Sequence, residues 1–177
     1  PYTACDNDVK NACDNATLYL TIARDNAIVE ITGSSILCIG ATTNLTPSGS
    51  GTWTSSDLAI ATVSNSGLVT AISAGSVNFT YTDNEECVSD ATLPITINET
   101  PTVSVTGSNS ICEGFTTQLS PTTGGTWISN DLGVATVDSS GLVIGVSPGS
   151  TTFVFTNSTT GCISNATQLI IVNLIPT

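Results

Sequence analysis

Residues 51–79 read GTWTSSDLAIATVSNSGLVTAISAGSVNF, and residues 125–153 read GTWISNDLGVATVDSSGLVIGVSPGSTTF. The two stretches align without a gap, Trp53 on Trp127, Ala61-Thr62-Val63 on Ala135-Thr136-Val137, and Gly67-Leu68-Val69 on Gly141-Leu142-Val143. The period is 74 residues, and a fixed period of this kind makes each copy one folding unit to be read on its own. Within a copy, polar and apolar residues alternate over short runs separated by Gly, Ser, Asn and Asp, the pattern of half-buried strands. Strands are expected at residues 43–46, 60–63, 68–72, 77–81 and 92–97. Ser64-Asn65-Ser66-Gly67 reads as a tight turn with a glycine free to take positive φ, and Ser73-Ala74-Gly75 and Ser147-Pro148-Gly149 are matching corners. No stretch sustains a helical period.

Outward from these segments the repeat continues. Val29-Glu30-Ile31-Thr32-Gly33-Ser34 returns as Val103-Ser104-Val105-Thr106-Gly107-Ser108, and Cys38-Ile39-Gly40 as Cys112-Glu113-Gly114. Beyond Phe79 and Phe153 one extra residue enters the second copy, so that Cys87 matches Cys162 and Ala91-Thr92 matches Ala166-Thr167. Backwards, Cys13 falls one period before Cys87, and the run 16–22 resembles 91–97. Residues 1–26 are therefore expected to be the C-terminal strands of a preceding repeat, with a lone strand at residues 17–22. Full repeats are expected at 27–100 and 101–177. The opening Pro1-Tyr2-Thr3 has no initiator Met and reads as a portion of a longer, processed polypeptide. About seven short strands per copy lead to an all-β fold of tandem Ig-like β-sandwiches.

Composition narrows the chemistry. Two Lys+Arg stand against fourteen Asp+Glu, a net charge of −12, so a phosphate backbone or an anionic membrane is repelled over most of the surface. Nucleic-acid binding and membrane insertion are not expected. No His occurs, and Lys10 and Arg24 are the two cations of the sequence. Imidazole bases, Ser-His-Asp and Cys-His nucleophiles, His-ligated zinc and Walker-type lysines all drop out together. Ser139-Ser140 and the other hydroxyls have no base beside them, so catalytic and cofactor-binding residues are expected to be none. Six cysteines without a close Cys-x-x-Cys fit structural disulfides in an oxidising, extracytoplasmic setting.

The motifs Gly-Thr-Trp-x-Ser-x-Asp (51–57 and 125–131), Ala-Thr-Val, Gly-Leu-Val and Ala-Gly-Ser or Pro-Gly-Ser resemble bacterial Ig-like repeats of group 2. The Ile/Leu-Cys-x-Gly pair with its downstream cysteine is similar to the variety in giant Bacteroidetes-type cell-surface and gliding-motility adhesins secreted by the type IX system. The resemblance covers both full repeats and the opening fragment. It implies a stalk segment in an extracellular, cell-surface filament or adhesin. Its partners would be the neighbouring repeats, with a surface glycan or other adhesion target bound through regions outside this stretch. The family offers no catalytic residue to carry over. Cys5 has no counterpart near position 79 or 154, a departure from the pattern.

Two cores are expected, one from Leu45, Trp53, Val63, Leu68, Ile72 and Phe79, the other from Leu119, Trp127, Val137, Leu142, Val146 and Phe153. Trp53 and Trp127 could alternatively be sugar-stacking platforms, but their shared place in an alternating strand favours the core. Asp83, Glu85 and Glu86, like Asp6, Asp8 and Asp14, crowd a loop near a repeat junction, where carboxylate oxygens could hold Ca²⁺. The second copy has Asn157-Ser158-Thr159-Thr160-Gly161 there instead, so a solvated loop is the simpler reading. Six Asn-x-Ser/Thr sequons, at Asn15, Asn44, Asn78, Asn98, Asn157 and Asn165, are what a composition rich in Asn and Thr produces by chance.

Two disulfide schemes compete. One closes each repeat on itself, Cys38 to Cys87 and Cys112 to Cys162. In an Ig-like topology, however, Cys38 precedes the second strand and Cys87 precedes the last, at opposite ends of a sandwich on the order of 25 Å long. A disulfide allows a Cα separation of about 7 Å at most. Units stacked end to end would instead bring Cys38 beside Cys162. That inter-repeat bridge is favoured, with Cys87 and Cys112 reaching neighbouring repeats and Cys5 and Cys13 closing a local loop.

Function on this reading is that of spacer or stalk repeats holding a distal binding region away from the cell. The alternatives are an accessory glycan-binding module of a secreted enzyme or phage fibre, or a strand-exchanging filament subunit. Pro101 in the link Asn98-Glu99-Thr100-Pro101-Thr102 restricts both itself and the preceding residue, so little freedom between units is expected.

Overall fold

A computed structural model describes residues 28–176, together with two short strands, β1 (Ala4–Cys5) and β2 (Cys13–Asp14), which pair antiparallel. The strand expected at residues 17–22 lies outside the described residues. Strands alone are assigned among the described residues, with no helix.

The first unit runs β3 (Glu30–Ile31), β4 (Ile36–Cys38), β5 (Thr42–Thr46), β6 (Thr52–Ser55), β7 (Ala61–Val63), β8 (Leu68–Ala71), β9 (Gly75–Val77), β10 (Phe79–Thr82) and β11 (Ile95–Asn98). The second runs β12 (Ser104–Val105), β13 (Ser110–Cys112), β14 (Thr116–Ser120), β15 (Gly125–Ser129), β16 (Ala135–Val137), β17 (Leu142–Gly145), β18 (Gly149–Thr151), β19 (Phe153–Asn157) and β20 (Ile170–Asn173). One sheet has the order β3-β5-β8-β7, and its counterpart β12-β14-β17-β16. The facing layer holds β4 parallel to β11, β11 antiparallel to β9, and β10 antiparallel to β6. β13, β20, β18, β19 and β15 repeat that arrangement. Both units are thus Ig-like sandwiches with the same strand order.

β9 and β10 are one strand interrupted at Asn78. The Asn78 side-chain amide donates to the Thr92 carbonyl at 2.7 Å, and its backbone N–H donates to the Ser56 hydroxyl at 3.0 Å. The chain leaving β10 then doubles back along it. Thr92 accepts the Phe79 N–H (3.1 Å) and Ser89 accepts the Tyr81 N–H (2.9 Å) through their hydroxyls. Thr167 and Ser164 do the same for Phe153 and Phe155. These four hydroxyl residues are buried, and their hydrogen bonds satisfy strand groups that have no ladder partner there. For this reason the last strand starts at Ile95 rather than at Thr92: Thr92 is engaged with Phe79, and Pro94 has no N–H to offer a ladder.

Each sandwich has its own core. Leu45, Trp53, Val69, Val77, Phe79, Tyr81, Ile95 and Ile97 fill the first, and Leu119, Trp127, Val143, Phe153, Phe155, Ile170 and Val172 the second. Val63 and Val137 are partly buried against these clusters. Trp53 packs on Tyr81 and Trp127 on Phe155, each with ring centroids 5.1 Å apart and tilted. Each indole N–H donates to a proline carbonyl, Trp53 to Pro47 (3.0 Å) and Trp127 to Pro121 (2.9 Å). That polar handle is what lets so large a ring be buried.

Three expected core residues point to solvent. Leu68 is 41% exposed, Ile72 46% and Val146 42%, while Val69, Ala71 and Val143 are buried; Leu142 is half-buried. The pairings Thr43↔Val69 and Ala61↔Ala71 set the inward parity of β8. Side chains alternate from face to face, so the choice of Leu68 and Ile72 is one residue out of phase. The run Leu68-Val69-Thr70-Ala71-Ile72 is apolar on both faces, and the larger side chains are on the outer one.

Candidate functional site: the joint between the units

Hydrogen bonds define two ends in each sandwich. In the first unit one end gathers the turn after β4, the start of β7, the turn after β8 and the end of β11. Ile39 N–H donates to Asn98 O (3.1 Å), Gly40 N–H to Ala71 O (3.0 Å), and the Ser73 hydroxyl to Ala59 O (2.6 Å). The other end gathers the loops 47–51, 64–67 and 83–88, as the Leu45 N–H to Gly67 O bond and the Thr82↔Thr52 pairing show.

Cys38 closes β4, opposite Asn98 in the parallel ladder, and so sits at the end where the chain leaves for the second unit. Cys162 sits in the turn after β19, at the end of the second unit that carries the loops 121–124 and 138–141. Asn157 builds that turn: its side-chain oxygen accepts the N–H of Thr159 (2.8 Å) and of Thr160 (3.1 Å), and Gly161 takes φ 72°. The Ser158 N–H ties the turn to Gly124 O at 2.9 Å. The two cysteines are joined by a disulfide with Cα atoms 5.7 Å apart. Cys162 is fully buried and Cys38 partly so.

Cys87 is in the matching loop at the opposite end of the first unit, where Asp83 takes the place of Asn157. One Asp83 carboxylate oxygen accepts the N–H of Glu85 (2.9 Å) and of Cys87 (2.8 Å), and Glu86 holds φ 61°. The acidic cluster Asp83, Glu85 and Glu86 is therefore organised as a backbone turn. Among the described residues no three His, Cys, Asp or Glu side chains converge as a metal site would require. Asp6, Asp8 and the side chain of Asp14 lie outside the described residues. The same holds for the side chains of Cys5 and Cys13, whose backbones are opposite one another between β1 and β2.

Trp53 and Trp127 are 6% and 7% exposed, so neither presents a ring face on which a sugar could stack. An open groove of about 610 Å³ is lined by Val29, Glu30, Ile31, Thr92, Leu93 and Pro94 among others. Its single carboxylate, Glu30, has no base, acid or cation beside it among the lining residues. Sequence reasoning missed the pairs Ser89 and Thr92, Ser164 and Thr167; the signal was their recurrence at matched positions in both copies.

Residues 20–93 match the profile of the bacterial Ig-like domain (group 2). Ice-binding protein 1 of Shewanella frigidimarina (strain NCIMB 400) is 31% identical over 153 residues, which is 79% of this chain and 16% of that protein. Among solved structures, a C-terminal 282-residue fragment of intimin, in complex with the intimin-binding domain of the translocated intimin receptor, is 15% identical with a TM-score of 0.48, covering 78% of this chain and 62% of that one. Domains 4 and 5 of the S-layer protein SbsC are 17% identical with a TM-score of 0.37, covering 86% and 100%. Residues 20–93 are thus similar to a bacterial Ig-like domain of group 2, and the second unit repeats the sequence and the strand order of the first.

Proposed function

We propose that the chain is a run of spacer units in an exported surface protein, with a mechanical rather than a catalytic role. The observation that carries this reading is the Cys38–Cys162 bridge, which staples two separately cored sandwiches across their junction. A hinge with one covalent strand between domains leaves relative motion as the default. A second covalent tie at the same junction removes most of it. Disulfides persist outside the reducing cytoplasm, and a net charge of −12 keeps parallel stalks apart. Both support an extracellular, cell-surface setting. The neighbouring units are the principal partners, and contact with a glycan or other adhesion target falls to regions elsewhere in the protein. The further attribution to a gliding-motility adhesin and to type IX export rests on the sequence resemblance alone.

Small-angle scattering tests the reading. The oxidised chain should fit one inter-unit orientation, and the Cys38→Ser/Cys162→Ser variant should need a broad ensemble with both units still folded. An oxidised chain that itself requires widely varying angles would overturn it.

A further inference from the structure

The turn that presents Cys38 is built twice. Ala41 N–H to Cys38 O (2.9 Å), Ile39 N–H to Asn98 O (3.1 Å) and Gly40 N–H to Ala71 O (3.0 Å) hold the first copy. Phe115 N–H to Cys112 O (3.0 Å), Glu113 N–H to Asn173 O (3.0 Å) and Gly114 N–H to Gly145 O (2.9 Å) hold the second. Cys38 is the ladder partner of Asn98, and Cys112 of Asn173. Cys112 therefore occupies, at the far end of the second unit, the place that Cys38 occupies at the joint, and its thiol is free and partly accessible. Gly40 and Gly114 take φ 85° and 76°, so the turn conformation is specified in both copies by a residue suited to it.

The surroundings differ in one respect. Ala41, Glu99 and Thr100 flank Cys38, whereas Phe115, Leu174 and Ile175 flank Cys112 and are 62%, 70% and 54% exposed. Adjacent exposed apolar side chains mark a surface that another element covers. The residues that lead away from β20 also repeat the link that leads away from β11: Asn173-Leu174-Ile175-Pro176-Thr177 has Asn, Pro and Thr at the same spacing as Asn98-Glu99-Thr100-Pro101-Thr102.

We infer that the Cys112 end of the second unit is a docking face for a further Ig-like unit of the same kind, which presents a cysteine on its penultimate loop as Cys162 is presented to Cys38. This deepens the spacer reading and rests on it: the joint becomes a repeating connector instead of a single staple. Formation of the bond joins Cys112 Sγ to the incoming sulfur. The two thiols lose two protons and two electrons to a disulfide oxidant such as oxidised glutathione, which is itself reduced to two thiols. Phe115, Leu174 and Ile175 then form an apolar rim around the sulfur.

The test extends the full chain after Thr177 in two versions. One adds a second copy of residues 103–177 with Cys112→Ser in the added copy, and the other adds residues 29–102 with Cys38→Ser in the added copy. Both are refolded in about 0.1 mM glutathione redox buffer and mapped by non-reducing proteolysis with iodoacetamide trapping. A tethered module has an effective concentration in the millimolar range. The bridge from the original Cys112 to the added cysteine should therefore exceed its glutathione adduct roughly tenfold, with Cys38–Cys162 retained in equal amount. Phe115→Asp should lower that ratio several-fold without affecting Cys38–Cys162. Cys112 left alkylatable or glutathione-capped in both extensions, while Cys38–Cys162 forms, would overturn the docking face and leave the spacer reading of the existing joint standing. Absence of Cys38–Cys162 would instead count against the spacer reading.

Discussion

Cys38 and Cys162 are separated by 124 residues of sequence, yet their Cα atoms are 5.7 Å apart, and they join two units whose hydrophobic cores include neither cysteine. The bond therefore acts on the relation between units more than on either interior. In the chain-entropy model a closed loop of that length is worth about 5 kcal/mol. Reduction should lower the unfolding free energy of the chain by up to that amount and separate one denaturant transition into two, while tryptophan emission of each native unit stays unchanged. A single coincident transition in the reduced protein would contradict the independence of the two cores.

Trp127→Ala removes a buried ring packed on Phe155 at 5.1 Å and breaks the indole bond to the Pro121 carbonyl. The expected cost is about 3–5 kcal/mol, measured by urea denaturation. A loss below about 1 kcal/mol would place the ring at the surface.

Thr167→Val keeps the shape of the side chain and deletes the hydroxyl that accepts the Phe153 N–H. A buried N–H without an acceptor costs about 1–3 kcal/mol. Hydrogen exchange at the Phe153 amide should accelerate accordingly, and Thr92→Val should act in the same way on Phe79.

Thr43 and Thr117 are matched, buried threonines with different outcomes. The Thr117 hydroxyl donates to Ser108 O at 2.7 Å, whereas the Thr43 hydroxyl has no hydrogen-bond partner. Thr117→Val should destabilise by about 1 kcal/mol, while Thr43→Val should be neutral or stabilising. Thermal unfolding of the two variants side by side checks the difference, and equal losses would refute it.

The Asp138 carboxyl is held below its ordinary value of 3.8, first by the Ser140 hydroxyl and then by the backbone N–H groups of Leu142 and Ser140. A depressed folded-state pKa contributes stability above the unfolded value and loses it as pH falls through the folded value. Asp138→Asn should therefore weaken the second unit at neutral pH, and its difference from the wild type should shrink as the pH falls below the ordinary carboxylate range. Ser64 fills this position in the first unit and accepts the Leu68 N–H, so that unit should show no such acid dependence from this turn. A gap between variant and wild type that persists in acid would show that the carboxylate charge is not its source.

The sequence by itself determined the repeat, the all-β sandwich and the aromatic core positions, because a 74-residue period and two-residue alternation are one-dimensional signals of backbone geometry. Trp53, Leu45 and Phe79 were legible as core since each lies in a run whose alternate neighbours are polar. Leu68, Ile72 and Val146 were not, because apolar residues on both faces leave the parity to cross-strand pairing, which only the register of β8 with β5 and β7 decides. The cysteines posed the same question on a larger scale: spacing along the chain is compatible with pairing inside or between repeats. What selects Cys38 and Cys162 is that β4 runs parallel to β11, which carries Cys38 to the end where the chain departs, while the turn after β19 brings Cys162 back to the end where it arrives.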